Sequence, residues 1–556
     1  MGMATNVARS DSPKSESFQL PKNSLGADLV WWRESPSLHT LVTIYGAIEE
    51  LNGLAPGSLP AIYLECALFT PEGEFQTSWR ESLPRGGMAV IDSAKHPGVL
   101  NSGLLAIFAC TETEAPETVR KKYNRLFSMV DWYSDEGEIA SLHNDQSLIR
   151  QGRPLDFTEI VVLETAEQRN YLVVLNGAEP QEPGSIRLEA RNHKGELREG
   201  VYAPAMAPFS VHRLYLSELF PGLAEFGEGN HISLSGHFQC RGVFVRPYVM
   251  TEGRSVNAYH SGDRYDWAAI PLFVHKYLGR GEVNPMVALH QKTLTTTVNL
   301  LNSHGDLESD FWVDARLYDE AGRLVGERER WLLARRNRVT RGDIADLLPN
   351  PNVPFAGHIA LNFSADTQPL YPRRLQALLE YRTPVSAARV MAWSDIWNGR
   401  HKLRELKEKV GDIVPMDRIF APHYRSEASV TYHCHYRIWF KPPIVSYLAV
   451  TNCGIEKEYS KRAPYVLKLH NRRGEFLEAQ GDLAPQATDW GRVDKFFPGV
   501  SELAGSDGIL MATIDSPADL AVMHLTEHER TGVYSAEHFM ASGSYHEGRY
   551  HWICGS

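Results

Sequence analysis

An internal repeat constrains the fold of this chain more than any other sequence feature. Four segments carry the same landmarks in the same order, with a period of about 125 residues that lengthens before the last copy. An apolar run ends in Asn and a small residue, a Gly-centred turn follows 19 to 22 residues later, and a Pro followed by Gly or Asn comes 24 to 27 residues after that. The landmark asparagines are Asn52, Asn176, Asn302 and Asn452, and the turn glycines are Gly73, Gly195, Gly322 and Gly474. Such a period indicates one structural unit used four times.

Each copy has the residue pattern of β-strands. Ile62, Leu64 and Cys66 alternate with Tyr63 and Glu65, and equivalent segments of copies 2 and 3 alternate in the same way. A period of two predicts strands with one buried and one solvated face. The recurring turn glycine suits a positive φ, as in a hairpin closed by a G1 bulge. We therefore predict an all-β protein of four tandem immunoglobulin-like β-sandwich repeats.

The copies also pair. Copies 1 and 3 share a sequence around Asp131-Trp132 and Glu380-Tyr381, and copies 2 and 4 share Phe-Pro-Gly at 220–222 and 497–499. This favours a duplicated two-sandwich unit, with one short helical insertion near 400–411, where Leu403, Leu406 and Val410 fall on one helix face. The predicted organisation is a disordered polar tail at 1–26, sandwich repeats at 27–150 and 151–270, a linker at 271–287, a third repeat at 288–398, a helical insertion at 399–424 and a fourth repeat at 425–556.

Charge and composition limit the cellular compartments and the classes of partner that we expect. Lys and Arg number 57 against 68 Asp and Glu, a net charge of −11, which gives no footprint for nucleic acid or an anionic membrane. No stretch approaches the ~18 apolar residues of a membrane helix, and no signal peptide is evident. None of the six cysteines forms a CxxC pair. We expect a cytoplasmic protein with reduced thiols, no membrane insertion and no nucleic-acid partner, and self-association is left open.

Histidine is the one reactive residue type that is unevenly distributed. Nine of the 22 histidines lie between His423 and His551, and the sharpest pattern is His433-Cys434-His435 on an expected strand. Residues i and i+2 of a strand share a face at ~6.5–7 Å, so two imidazoles can chelate one Zn, Fe, Cu or Mn ion. The candidate metal ligands are His433, His435, His524, His528 and His538, with Glu527 or Glu537 as a candidate general base.

An alternative reading treats those histidines as members of a solvated Tyr/His-rich sandwich face, because a lone H-x-H is a common pattern. A further histidine recurs near the end of three copies, as His143, His260 and His538, whereas copy 3 has Ala392-Trp393-Ser394 there. Its absence from one copy of four favours a structural hydrogen bond that ties a loop to the sandwich edge.

Aromatic residues could supply a ligand-stacking platform or pack in the core. They include Trp31, Trp32, Trp132, Tyr133, Trp393, Trp397 and Trp439. The chain has no G-x-S-x-G elbow, no P-loop and no G-x-G-x-x-G motif, so the corresponding hydrolase and nucleotide-binding chemistries have no sequence support.

One stretch of copy 4 resembles a known family. Val522, His524 and Arg530, followed by Ser535-Ala536-Glu537-His538 and Ser544-Tyr545, are similar to the closing strands of sensory rhodopsin transducer proteins. Those are small β-sandwiches, so the resemblance implies the same fold class for this copy. It covers about forty residues and transfers no signalling role.

Two functions follow as hypotheses. The leading one is a non-catalytic ligand-binding or scaffold protein, whose unidentified small-molecule or protein ligand sits in clefts between sandwiches. The alternative is a metal-dependent enzyme with a His-rich site in the last copy, holding one divalent transition metal.

Overall fold

The computed structural model confirms the all-β fold class, with 57% of the described residues in strands and 7% in helices. Two facing layers of antiparallel strands form the unit of each copy, as the alternating apolar residues predict. The structure describes residues 18–51, 57–96, 99–113, 126, 128–144, 146–148, 155–253, 255–263, 270–271, 282–283, 287–302, 309–364, 370–371, 374–395, 432–453, 460, 462–516 and 520–541. The predicted helix around Leu403, Leu406 and Val410 lies outside these residues.

The described part of copy 1 contains nine strands and two short helical turns. The strands are β1 (Ser24–Ser35), β2 (Leu38–Tyr45), β3 (Ile62–Phe69), β4 (Phe75–Ser82), β5 (Met88–Asp92), β6 (Ser102–Thr111), β7 (Met129–Tyr133), β8 (Ile139–His143) and β9 (Ser147–Leu148). The helical turns are α1 (Ile48–Leu51) and the 3-10 turn η1 (Ser93–Lys95). One layer has the order β4-β3-β6-β1, and the other has β5-β2-β7-β8.

Copy 2 repeats this order as β13-β12-β15-β10 and β14-β11-β17-β18. Its strands are β10 (Leu155–Val162), β11 (Arg169–Leu175), β12 (Ile186–Arg191), β13 (Leu197–Tyr202), β14 (Val211–Tyr215), β15 (Ile232–Phe238), β16 (Val243–Phe244), β17 (Tyr248–Glu252), β18 (Asn257–His260) and β19 (Gly262–Asp263). The helices are α2 (Leu216–Leu219) and α3 (Leu223–Gly227). The two-residue strands β20 (Ile270–Pro271) and β21 (Glu282–Val283) follow this copy.

Copy 3 has the layers β25-β24-β27-β22 and β26-β23-β29-β30. Its strands are β22 (Val287–His290), β23 (Thr295–Leu301), β24 (Phe311–Asp319), β25 (Leu324–Ala334), β26 (Val339–Asp343), β27 (Phe355–Phe363), β28 (Leu370–Tyr371), β29 (Arg374–Arg382) and β30 (Ala387–Asp395). A 3-10 turn, η2 (Ile344–Leu347), follows β26.

Copy 4 has the layers β34-β33-β36-β31 and β35-β32-β37-β38. Its strands are β31 (Tyr432–Lys441), β32 (Ile444–Thr451), β33 (Ala463–His470), β34 (Phe476–Leu483), β35 (Thr488–Arg492), β36 (Ile509–Ser516), β37 (Ala521–His528), β38 (Val533–His538) and β39 (Met540–Ala541). Its helices are α4 (Val493–Phe496) and α5 (Val500–Ala504). No described helix is long and apolar enough to cross a bilayer.

The four turn glycines close the same hairpin in every copy. Each lies between the third and fourth strand of its copy at positive φ, from 81° at Gly322 to 93° at Gly73. In copy 1 the Gly73 N–H donates to the Thr70 carbonyl, and the strand pairing shifts register between Leu68 and Phe69. This is the bulged hairpin that the sequence predicts, because only glycine takes this conformation without steric cost.

Copies 1 and 3 also share an internal hydrogen bond that joins their two layers. The indole N–H of Trp132 donates to the carbonyl of Trp31 at 3.2 Å. The hydroxyl of Tyr381, at the equivalent place, donates to the carbonyl of Val287 at 2.7 Å. The same bond in two copies agrees with a duplication of a two-sandwich unit.

Two sequence landmarks differ from expectation in copy 1. Residues 18–26 were predicted to belong to the tail, yet β1 begins at Ser24, and the ring of Phe18 stacks on Phe75 with 5.5 Å between centroids. Packing of the partly buried Phe18 against aromatic rings orders this part of the chain. The residue that follows the second strand is Gly46, where the other copies have Asn176, Asn302 and Asn452. Asn52, the predicted landmark, lies outside the described residues.

The four sandwiches meet through the last strand of each second layer. Strand β8 packs against β18 and β38, and β30 packs against the same two strands, so the four edge strands form a closed ring. The contacts include a hydrogen bond from Ser141 N–H to Ser535 Oγ at 2.7 Å and one from Val256 N–H to Glu138 Oε2 at 2.7 Å. This packing covers edge strands that would otherwise be open to pairing with other chains.

Candidate functional site

The ring of edge strands brings one position from every copy into register. In each copy, three paired residues lie side by side on three neighbouring strands. The first lies on the second strand of the copy, two residues before its end, and the third lies on the last strand. The third residue is the position compared here. The rows are Thr43–Met129–His143, Val173–Tyr248–His260, Asn299–Leu378–Met391 and Ala449–Met523–His538. Three copies therefore place a histidine at the end of the last strand, and copy 3 has Met391, in the middle of β30, at the equivalent row position.

The three histidines and Glu537 form one compact cluster, which we call the central cluster. One nitrogen of each histidine and one carboxylate oxygen all lie within 4.8 Å of one another. The Nε2 atoms of His260 and His538 are 3.4 Å apart. Glu537 Oε1 lies 3.6 Å from His143 Nδ1, 3.9 Å from His260 Nε2 and 3.5 Å from His538 Nε2.

Backbone carbonyls set the tautomers of two of these histidines. The Nδ1 of His260 lies 3.1 Å from the carbonyl of Ser261, and the Nδ1 of His538 lies 3.1 Å from the carbonyl of Phe539. A carbonyl can only accept, so both Nδ1 atoms carry the proton. Both Nε2 atoms then direct a lone pair toward the centre of the cluster.

The cluster is closed to solvent. Its four residues are between 0 and 6% exposed. Burial lowers the pKa of His538 to about 4, although the charge of Glu537 acts in the opposite direction. The buried Arg246 adds a positive charge beside the cluster, and its Nε donates to the carbonyl of Ser261 at 2.6 Å. The Glu537 carboxylate and the histidine lone pairs can hold a cation even though burial and Arg246 oppose added positive charge, and the four buried side chains expose almost no surface to a substrate.

Of the residues predicted as one metal site whose side chains the structure describes, only His538 and Glu537 lie together. His524 is fully buried elsewhere: its Nε2 lies 2.7 Å from Thr526 Oγ1, and its ring lies 4.5 Å from that of Tyr436. Burial, aided by the charge of Arg437, lowers the pKa of His524 well below its ordinary value. Because its ring packs inside copy 4, His524 does not reach the central cluster.

The other predicted residues lie at the boundary of copies 1 and 4 or on the surface of copy 4. The ring of His435 is 5.4 Å from that of Tyr45. The Nδ1 of His528 lies 2.9 Å from Thr531 Oγ1, and Glu527 Oε2 accepts a hydrogen bond from the Tyr447 hydroxyl at 2.9 Å. His433 pairs with Asp515 in the sheet, and its side chain lies outside what the structure describes. The described side chains of His435, His528 and Glu527 thus have separate partners and do not share one site.

A second site of interest is the cleft between copies 1 and 4, with a volume of about 480 Å³. The β7–β8 turn and η1 of copy 1 form one wall, and the β31–β32 and β37–β38 turns of copy 4 form the other. Tyr133 and Trp439 both line it, with their ring centroids 5.8 Å apart in an edge-to-face contact. The volume falls in the range of small-molecule sites.

His143 and His260 are the cluster members that the metal hypothesis missed. Both belong to the recurring histidine, whose absence from copy 3 favours a structural hydrogen bond when only the sequence is considered. The signal was therefore present, but the convergence of three copies on one point depends on the packing of the sandwiches. A single site that three copies share at the centre of the ring of edge strands would also give a histidine that recurs in three copies of four.

No protein-family model matches this chain, and no curated protein matches it either. The likeness of copy 4 to sensory rhodopsin transducer proteins stays a local resemblance in sequence.

Proposed function

We propose that this protein is a non-catalytic binding protein whose ligand occupies the cleft between copies 1 and 4. The observation that carries the proposal is the cleft itself, which is open to solvent and built from the loops of two sandwiches. Loops placed by a rigid β scaffold are a common location for binding residues.

The apolar part of the cleft suits a ligand with a flat or ring-shaped apolar face. Tyr133, Trp439 and Ile444 contribute to its walls. Trp439 is 5% exposed and its indole N–H donates to Asp131 Oδ2 at 2.9 Å. Because that donor is occupied, Trp439 offers a ligand only its ring surface.

The charged part of the cleft is balanced. Lys95 lies 3.9 Å from both Asp92 and Asp507, and Arg472 lies 3.1 Å from Asp507. The lining has four acidic and four basic side chains, which are Asp92, Asp135, Glu136 and Asp507, and Lys95, Lys441, Arg472 and Arg530. Paired charges supply both hydrogen-bond donors and acceptors without a net field. We therefore propose an uncharged, hydroxyl-bearing ligand of the size of a mono- or disaccharide.

The alternative, a metal-dependent enzyme with its site in copy 4, has less support. His435, His524 and His528 have separate partners, and the central cluster is closed. A catalytic metal needs an open coordination position that substrate can reach.

The test is calorimetric titration of the full chain with a panel of glucose, galactose, maltose and cellobiose, with glutamate and lysine as charged comparators. Lys441→Glu and Arg530→Glu change exposed donors of the cleft, so we expect each to weaken saccharide binding about ten-fold, or ~1.4 kcal/mol. Val353→Ser, at an exposed site of copy 3, is the control and should bind as the wild type does. Absence of saccharide binding, preference for a charged comparator, or equal binding by all variants would overturn the proposal.

A further inference from the structure

The central cluster has the geometry of a metal site that joins three sandwiches. A tetrahedral ion with bonds of about 2.0–2.2 Å places its ligand atoms roughly 3.3–3.6 Å apart. Four of the six separations here are 3.4 Å between His260 and His538 Nε2, and 3.5 to 3.9 Å from Glu537 Oε1 to the three histidines, and the two from His143 to the other histidines lie within 4.8 Å. Three imidazoles and one carboxylate are a ligand set that divalent transition ions accept.

The hydrogen bonds around the cluster hold two of the ligands ready to bind. The Nδ1–H groups of His260 and His538 donate to carbonyls of the residues that follow them. This outer arrangement is the one that orients metal-bound histidines and fixes the tautomer. It also directs two Nε2 lone pairs toward the same point, 3.4 Å apart, where a cation would attract both.

A proton is a poorer candidate for that cation than a metal ion. One proton bridges a single pair of atoms, whereas four ligand atoms converge here within 4.8 Å. In addition, Glu537 Oε2 is buried and has no hydrogen-bond partner among the described residues. A metal ion would bind all four residues at once, and Glu537 offers it the unpartnered Oε2 as well as Oε1.

We propose that His143, His260, Glu537 and His538 bind one divalent transition metal ion of the zinc type, which fastens copies 1, 2 and 4 together at the ring of edge strands. The site supplies four protein ligands and is closed to solvent, so the role is structural. The inference is independent of the ligand proposed for the cleft, because the two sites share no residue.

The experiment uses the full chain, purified without an affinity metal, and measures bound elements by mass spectrometry. We expect about one transition-metal ion per chain, retained through dialysis and removed by a strong chelator with a fall in melting temperature that added Zn²⁺ reverses. Replacement by Co²⁺ should give the intense visible absorption of a four-coordinate site. No stoichiometric metal, together with melting that neither chelator nor Zn²⁺ changes, would overturn the proposal.

Variants separate this site from other histidines. His260→Ala should lower the bound metal at least about ten-fold, whereas His524→Ala, another fully buried histidine, should keep it. If His260→Ala does not fold, the Co²⁺ spectrum of the wild type still decides the question, because a six-coordinate surface ion gives only weak bands. Equal metal content in both variants would place the ion elsewhere and contradict the proposal.

Discussion

The carboxylate of Asp131 in copy 1 and the guanidinium of Arg437 in copy 4 form an ion pair from which solvent is fully excluded. Asp131 also accepts the indole N–H of Trp439. Removing one partner of a buried pair leaves an uncompensated charge, which costs about 3–5 kcal/mol. We predict a loss of this size for Asp131→Ala in denaturant unfolding followed by tryptophan fluorescence.

Two comparisons check the cause of that loss. Asp482→Ala breaks the exposed pair between Arg462 and Asp482, and should cost at most about 1 kcal/mol. The double variant Asp131→Leu with Arg437→Met should recover much of the stability, because apolar replacement of both partners removes the stranded charge. If Asp131→Ala costs no more than the surface variant, copies 1 and 4 are not joined as described.

The buried carboxylate of Glu380, at the boundary of copies 2 and 3, leads us to predict that the protein loses stability in acid. Burial alone would raise its pKa, but Arg389 and His231 hold the pKa of Glu380 well below its ordinary value. The distances to Glu380 Oε2 are 2.9 Å from Arg389 Nε and 3.5 Å from His231 Nε2, and Arg382 Nε lies 3.5 Å from Oε1. A carboxyl with a depressed pKa in the folded state contributes stability above its unfolded pKa of about 4.3.

That contribution is lost as the pH falls through the unfolded pKa toward the folded one. Glu380→Gln should therefore melt below the wild type at pH 7, and the difference should narrow as the pH falls from about 5 to 3. Melting curves at a series of pH values test this. A difference that stays constant over the whole range would show that Glu380 is not ionised in the fold.

Replacing a turn glycine should lower the free energy of unfolding by an amount that depends on the new residue. Gly474 has φ of 83°, and its hairpin joins β33 to β34. Alanine in this left-handed region costs about 1–2 kcal/mol, whereas asparagine tolerates it better. Gly474→Ala should lower the unfolding free energy by that amount, and Gly474→Asn should lower it less. Equal effects of the two substitutions would indicate that crowding, not backbone conformation, decides this position.

Buried thiols predict slow alkylation. Burial raises the pKa of Cys110 and of Cys240 to about 12, and raises that of Cys66 well above its ordinary value. Because the thiolate is the reacting form, iodoacetamide at pH 8 should label these residues only after denaturation. Peptide mass spectrometry with and without denaturant measures this. Rapid labelling of Cys240 in the folded protein would contradict its position in the core.

Local rules explain how much of the fold could be predicted. The alternation at Ile62, Leu64 and Cys66 and the glycine at Gly73 depend only on strand periodicity and backbone sterics, so the hairpins could be derived from sequence. The ordered part of the tail could not be predicted, because Phe18 packs against aromatic rings that are distant in sequence, including Phe108 and Phe209. Ordering of that kind is tertiary and leaves no local pattern.

The candidate site shows the same limit. His538 and Glu537 were predicted as site residues from histidine density, but their partners His143 and His260 come from copies 1 and 2, 395 and 278 residues away from His538. Only the closed ring of edge strands brings them together. His524, close in sequence to His538, is directed instead toward Tyr436 inside copy 4.

Anomalous X-ray scattering from crystals of the full-length protein, recorded on both sides of the absorption edge of the bound metal, tests the central claim most directly. The account predicts a single anomalous peak about 2.0–2.2 Å from one nitrogen each of His143, His260 and His538 and from one oxygen of Glu537. Well-ordered density for these four side chains with no anomalous peak between them would contradict it.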